Sequence, residues 1–227
     1  MRAVLYATVI GLVCSLLGTP MAIRFFTRRG YGQEIREDGP QSHLVKRGTP
    51  TMGGTVIVLS TLIAYFVTKL ATAKVPSSSA MLVLFLMTGL GVVGFVDDFI
   101  KISKQRSLGL RAKAKLVGQS IVTIAFAVLA LHFRNSMGLT PASEHVSFLQ
   151  DISWLSLGPV LFVVFSYLLI GGWSNAVNLT DGLDGLAAGA AAMVFGAFTL
   201  ISFLQSRYTC GSNPAAGCYV VRDPVDV

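Results

Sequence analysis

Two short stretches place carboxylates where an oily chain has little use for them. "GFVDDFIK" carries Asp97 and Asp98 side by side, and "NLTDGLDGL" carries Asp181 and Asp184 three residues apart. Such groups can hold Mg²⁺, which keeps several waters and bridges one or two carboxylates to phosphate oxygens. Each stretch also has a purely structural account. In the first, Asp97 and Lys101 stand at i,i+4 with the acid N-terminal, the better orientation for a helical ion pair. Asp98 projects about 100° away around the helix and gains no such partner. Both acids would also sit at the C-terminal end of a helix, where negative charge is mildly unfavourable. In the second stretch, Asp181 suits a helix N-cap and Asp184 the third position, and the helix dipole favours both. Asp181-Gly182 is a turn signal in its own right.

A third stretch, "GPQSHLVKRGTPTMGG" over residues 39–54, is rich in glycine and proline and runs into an apolar segment. Glycines let backbone N–H groups approach a ligand closely. His43, Lys46 and Arg47 would set positive charge beside it. No Lys-Ser or Lys-Thr follows the glycines, so this is not a P-loop. The plainer reading is a tight basic loop at a membrane edge, with Gly53 and Gly54 serving helix packing.

The elements that must position these residues are membrane spans. Of the 227 residues, 53% are hydrophobic and 13% charged, against roughly 25% charged in soluble domains. Six apolar runs approach the ~20 residues a helix needs to cross the hydrocarbon core. They cover about 4–23, 55–70, 80–96, 116–133, 157–172 and 186–204, the fifth being short. The first is no signal peptide: only Arg2 precedes it, while Arg24, Arg28 and Arg29 follow. With the N-terminus outside, alternation puts twelve basic residues in inner loops (Arg24, Arg28, Arg29, Arg36, Lys46, Arg47, Lys101, Lys104, Arg106, Arg111, Lys113, Lys115). Six fall outside: Arg2, Lys69, Lys74, Arg134, Arg207 and Arg222. The bias obeys the positive-inside rule and places both ends of the chain outward. It also accounts for the net charge of +7 without a nucleic-acid partner. Asp97, Asp98, Asp181 and Asp184 then share one aqueous face with a dozen cations. The loop over about 173–185 has no Lys or Arg of its own. A site for Mg²⁺ and phosphates follows from that juxtaposition.

The remaining features are peripheral. There is no repeat and no low-complexity tract. "HVSFLQ" and "ISWLSL" alternate apolar with polar and fit either a short outer β-hairpin or an irregular loop anchored by Trp154. Cys14 reads as an apolar filler in the first span. Cys210 and Cys218 share an outward, oxidising loop where a disulfide is compatible but not required by spacing. "RDPVDV" reads as a helix start, with Asp223 as N-cap and Pro224 in the first position, so the chain is expected to be the front part of a longer one.

In this order and at span edges, "GPQSHLVKRGTPTMGG", "GFVDDFIK" followed by "GLRAKAKL", and "SNAVNLTDGLDGLAAG" closely resemble the phospho-N-acetylmuramoyl-pentapeptide-transferase family of bacterial translocases. "GTPTMGG" favours that family over relatives that transfer N-acetylglucosamine phosphate to the same lipid. The resemblance covers essentially the whole chain. It implies an all-α integral membrane fold, a polytopic helical bundle with about six of an expected ten spans, forming one transmembrane domain over 1–227. It implies a bacterial cell membrane location, an active site on the cytoplasmic face, and Mg²⁺ as cofactor. The implied substrates are UDP-N-acetylmuramoyl-pentapeptide and undecaprenyl phosphate, the products lipid I and UMP. A homodimer is compatible with it.

Carried over by motif, Asp97 and Asp98 look like the family's acidic pair near the lipid phosphate and are candidate metal ligands. The family's principal metal ligand and a histidine-rich loop find no counterpart here. Asp181 resembles a catalytic aspartate. Gly182, Leu183 and Asp184 resemble the uridine-binding segment, with Lys46 near the nucleotide. Lys101 and Lys113 would hold phosphates, and Asn175 and Asn178 would line the same cleft. Because the lipid phosphate is already anionic and needs little activation, direct attack on the donor's β-phosphate is the expected route, with Asp98 orienting or deprotonating it; an aspartyl-phosphate route is the alternative. Three rival readings stand beside it: transfer from another UDP-amino sugar, a transporter with aspartates as ion ligands, and a fragment without turnover of its own.

Overall fold

The computed structural model describes residues 2–32, 51–104, 109–135, 138–147, 151–180 and 185–208, together with Cys210 and Cys218. The order of elements is α1 (Arg2–Arg28), α2 (Gly54–Ala71), α3 (Ser78–Ser103), α4 (Ala112–His132), β1 (His145–Ser147), β2 (Asp151–Ser156), α5 (Gly158–Thr180) and α6 (Leu186–Arg207). All six helices are long and apolar enough to cross a membrane. Their large apolar side chains stay uncovered, as Leu5 and Met193 show at 64% and 73% exposure. Water would oppose that surface, whereas lipid is an equivalent solvent for it. The protein is a multi-pass, helical membrane protein, with a small hairpin among the described residues.

The chain divides into two compact units. The first comprises residues 1–76 and 84–122, the second residues 77–83 and 123–227. In the first unit glycines let helices approach one another. A Cβ at Gly11 would lie 3.4 Å from the Ala64 Cβ, and one at Gly18 would lie 3.1 Å from Val56 Cγ1. On the other side of α2, a Cβ at Gly91 would lie 3.2 Å from Val58 Cγ2. Small residues at crossings are the usual membrane solution, because no hydrophobic force drives helices together there. Gly53 and Gly54 do not serve this purpose: a Cβ on either meets nothing within 4 Å. They open α2 rather than pack it, with Gly53 as its N-cap.

The tightest crossing joins α3 to α4. A Cβ on Gly89 would stand 2.6 Å from Val122 Cγ1 and 3.0 Å from Val122 Cγ2. Gly89→Ala is therefore expected to destabilise the fold by about 1–3 kcal/mol through overpacking. Adding Val122→Ala should return most of the loss. A thermal-melting series on the two single variants and the double variant reads this; equal melting of Gly89→Ala and the parent would sink it.

In the second unit, β1 and β2 pair antiparallel, with His145 opposite Ser156 and Ser147 opposite Asp151. Of the two readings that the alternation allowed, the hairpin is present, and Trp154 projects from it at 81% exposure. Backbone bonds tie its base: Leu157 N–H donates to Glu144 O at 2.8 Å, and Ala142 N–H to Ala130 O at 3.1 Å. Gly158, with φ of +68°, makes the corner into α5, a conformation that disfavours a side chain. Cys210 and Cys218 form a disulfide, with Cα atoms 4.9 Å apart.

Three expectations need correction. The fifth span runs from Gly158 to Thr180 rather than stopping near residue 172. No proline interrupts it, and Asn175 Nδ2 donates to Gly171 O at 2.8 Å, so a polar side chain is satisfied on its own helix. The helix that follows starts at Leu186 with Gly185 as N-cap at φ +83° and no side-chain capping bond, so its cap is a glycine rather than an aspartate. A left-handed glycine there makes the turn that a capping aspartate was expected to make. Asp181 and Asp184 themselves lie outside the described residues, as does Asp223. Finally, α3 continues past Asp98 to Ser103. The acid pair thus avoids the final turn, where the dipole penalty is concentrated.

Candidate functional site

The site is built on the C-terminal part of α3. Adjacent residues on a helix diverge, yet one cation reaches both acids. Lys101 Nζ lies 2.7 Å from Asp97 Oδ2 and 2.8 Å from Asp98 Oδ1. Asp98 is therefore not without a helical partner, contrary to the i,i+4 argument. Lysine at i+3 is as much a neighbour as at i+4, and its flexible stem lets the ammonium sit between the two carboxylates.

The other oxygens are held from outside the helix. Leu110 N–H donates to Asp97 Oδ1 at 2.7 Å. Thr51 Oγ1 donates to Asp98 Oδ2 at 3.3 Å. Thr51 is followed by Met52, whose φ of 70° is left-handed and whose side chain is buried. That conformation costs a non-glycine residue roughly 1–2 kcal/mol, and burial of the long thioether side chain offsets it.

The two carboxylates are consequently unlike. Asp97 is 14% exposed and both its oxygens make short bonds. Asp98 is 31% exposed, and its Oδ2 has only the long contact from Thr51. The triad of two acids and one lysine carries a net charge of −1. Its least tightly held oxygen, Asp98 Oδ2, is the natural point for a cation. A hard divalent ion fits this donor set if waters and a substrate phosphate complete the shell. No cluster of three or more His, Cys, Asp or Glu residues exists among the described residues, so an all-protein cage is not what they offer.

Of the residues singled out by sequence, the structure brings Asp97, Asp98 and Lys101 together. Lys113 stands exposed on the first turn of α4. Asn175 and Asn178 stand on α5, in the second unit, the former half-buried and the latter exposed. His43, Lys46, Arg47, Asp181, Gly182, Leu183 and Asp184 lie outside the described residues. Sequence reasoning missed Thr51, Gly109 and Leu110 as individual participants. All three lie within quoted motifs, Gly109 and Leu110 opening "GLRAKAKL". Leu110 acts through its backbone N–H, which leaves no mark on residue type.

Comparison with known proteins follows the same residues. Residues 80–218 match glycosyl transferase family 4, and residues 46–58 match phospho-N-acetylmuramoyl-pentapeptide-transferase signature 1. The first match takes in Asp97, Asp98, Lys101 and Asp181; the second takes in Lys46 and Thr51. The chain is 59% identical over 229 residues to a phospho-N-acetylmuramoyl-pentapeptide-transferase of Frankia alni, covering 100% of this chain and 64% of that protein. It is 58% identical to the same-named protein of Frankia casuarinae and 57% identical to that of Streptomyces avermitilis, again over 100% of the chain and 64% of each relative. The chain thus spans less than two thirds of the length of these curated relatives.

Proposed function

This chain belongs to glycosyl transferase family 4, and we propose on that premise that the protein is a phospho-sugar transferase of the bacterial cell membrane. Its donor is UDP-N-acetylmuramoyl-pentapeptide and its acceptor undecaprenyl phosphate, giving lipid I and UMP. The observation that carries the reading is the Asp97–Lys101–Asp98 triad, with Asp98 Oδ2 turned to Thr51 of the signature segment. The reaction faces the cytoplasm, where the basic loops collect, and both ends of this chain lie outside.

The lipid phosphate is anionic near neutral pH and needs little activation as a nucleophile. One of its oxygens attacks the donor's β-phosphorus, and the bond from that phosphorus to the bridging oxygen breaks. The electron pair leaves with UMP. The chain's residues position the charges and neutralise them, which is where catalysis of phosphoryl transfer resides. Asp98 orients the acceptor phosphate or takes its residual proton at Oδ2. Lys101, already fixed between two carboxylates, and Lys113 hold phosphate oxygens. Lys46 serves the nucleotide, Gly182, Leu183 and Asp184 the uridine, Asp181 the reacting phosphates, and Asn175 and Asn178 the walls of the cleft. Mg²⁺, held through Asp98 with Asp97 beside it, would supply charge neutralisation on the phosphates.

The test is UMP release in detergent with undecaprenyl phosphate and Mg²⁺, run beside the Frankia alni relative. UDP-N-acetylmuramoyl-pentapeptide should support release and UDP-N-acetylglucosamine should not. The reverse preference would reassign the donor, and ion flux across liposomes without UMP release would favour a transporter. With donor labelled at the β-phosphate, no label is expected on the protein in the absence of acceptor. A trapped phospho-aspartate would overturn direct attack.

A further inference from the structure

The acid pair is held at one end by a segment with no assigned role. Gly109 and Leu110 follow α3 and precede α4. Leu110 N–H donates to Asp97 Oδ1 at 2.7 Å, a charge-assisted bond in a half-buried setting. Gly109 is buried, and a Cβ built on it would stand 2.6 Å from the Asp97 carbonyl oxygen and 2.8 Å from its Cγ. It would also overlap Asp97 Oδ1. Its φ is outside the left-handed region, so the demand for glycine is one of space. A methyl group there cannot be accommodated by a flexible side-chain tip, because the obstacle includes α3 backbone. Either the segment lifts off or the end of α3 moves.

What the segment holds is more than Asp97. With Oδ1 fixed by Leu110, Asp97 presents Oδ2 to Lys101 at 2.7 Å, and Lys101 in turn fixes Asp98 Oδ1 at 2.8 Å. The order of dependence runs from Leu110 N–H through Asp97 and Lys101 to Asp98. We propose that Gly109 and Leu110 are positioning residues for the transfer reaction, setting the Asp97–Lys101–Asp98 triad from one backbone N–H and one missing Cβ. The role in the reaction rests on the transferase reading; the mechanical linkage does not.

Two measurements separate those parts. Hydrogen exchange at the Leu110 amide, followed by mass spectrometry on the intact protein in detergent, reads the linkage alone. Exchange should accelerate at least ~10-fold in Asp97→Ala and in Gly109→Ala, because a lost hydrogen bond opens the segment locally. It should stay within ~3-fold of the parent in Asp97→Asn, whose side-chain oxygen still accepts the bond. Equal exchange in all four proteins overturns the linkage whether or not the protein is a transferase. Steady-state kinetics read the role in the reaction. Gly109→Ala should lower kcat on the order of 100-fold, with KM for the donor within ~3-fold, because a displacement of about 1 Å in a positioning group has that cost. A merely structural glycine would instead reduce the amount of folded protein and leave kcat per folded molecule unchanged. That result, with the melting temperature lowered, overturns the positioning role. Absence of UMP release from the parent beside an active Frankia alni relative would favour a fragment without turnover of its own and remove the positioning role from this chain, leaving the exchange result standing.

Discussion

Asp98→Asn is expected to lower kcat for UMP release by at least ~10³-fold while leaving the protein folded, as for loss of a charged group acting at the reacting phosphates. The substitution keeps shape and volume. The amide oxygen of the new side chain can still accept from Lys101, which retains Asp97 as its charged partner. The amide nitrogen, by contrast, would stand where Oδ2 now stands, and it can neither accept a proton nor bind a cation. Thr51 would lose its acceptor as well. Initial rates at saturating donor and acceptor, with melting curves on the same preparations, provide the check. The same change at the equivalent position of the Frankia alni relative gives a second reading. A variant within ~10-fold of the parent would remove Asp98 from the mechanism.

Lys101→Met should produce two effects of opposite sign. The ammonium bonds to both adjacent carboxylates, and methionine keeps the stem without the charge. Without it, Asp97 and Asp98 repel each other and attract any cation more strongly. The apparent Mg²⁺ requirement is expected to fall about 3- to 10-fold, while kcat falls on the order of 100-fold as the phosphate-holding charge is lost. Arginine at the same position should recover only part of the rate, because its planar fork cannot reproduce a single point of charge between two acids. A Mg²⁺ titration at fixed substrate distinguishes the cases. If cation requirement and rate both stay at parental values, Lys101 is a surface lysine and no more.

The parts of this protein that can be read from its sequence are those written in residue type and period. The six spans follow from apolar runs, and the hairpin from the alternation on either side of residues 148–150. The acid pair is visible because Asp97 and Asp98 interrupt an apolar helix. What escapes is written in geometry. Counting four residues assigns Lys101 to Asp97 alone, although three residues away is equally near on a helix. The extension of α5 over residues 173–180 escapes because its polar side chains suggest a loop, while Asn175 in fact bonds back to Gly171. The N-cap of α6 is a left-handed Gly185, a choice of backbone that periodicity does not reveal. The hold of Leu110 on Asp97 depends on a backbone N–H that every residue but proline possesses.

The glycine contacts of α2 bear on how this sequence can drift over time. Val56 meets Gly18 from α1, and Val58 meets Gly91 from α3, so a single turn of one helix is gripped from opposite sides. A side chain cannot be added at either glycine unless the valine facing it shrinks. Such positions change together or hardly at all. Across related proteins, residues 18 and 56, and separately 91 and 58, should co-vary in volume with opposite sign, while the lipid-facing residues of α1 exchange freely among apolar types.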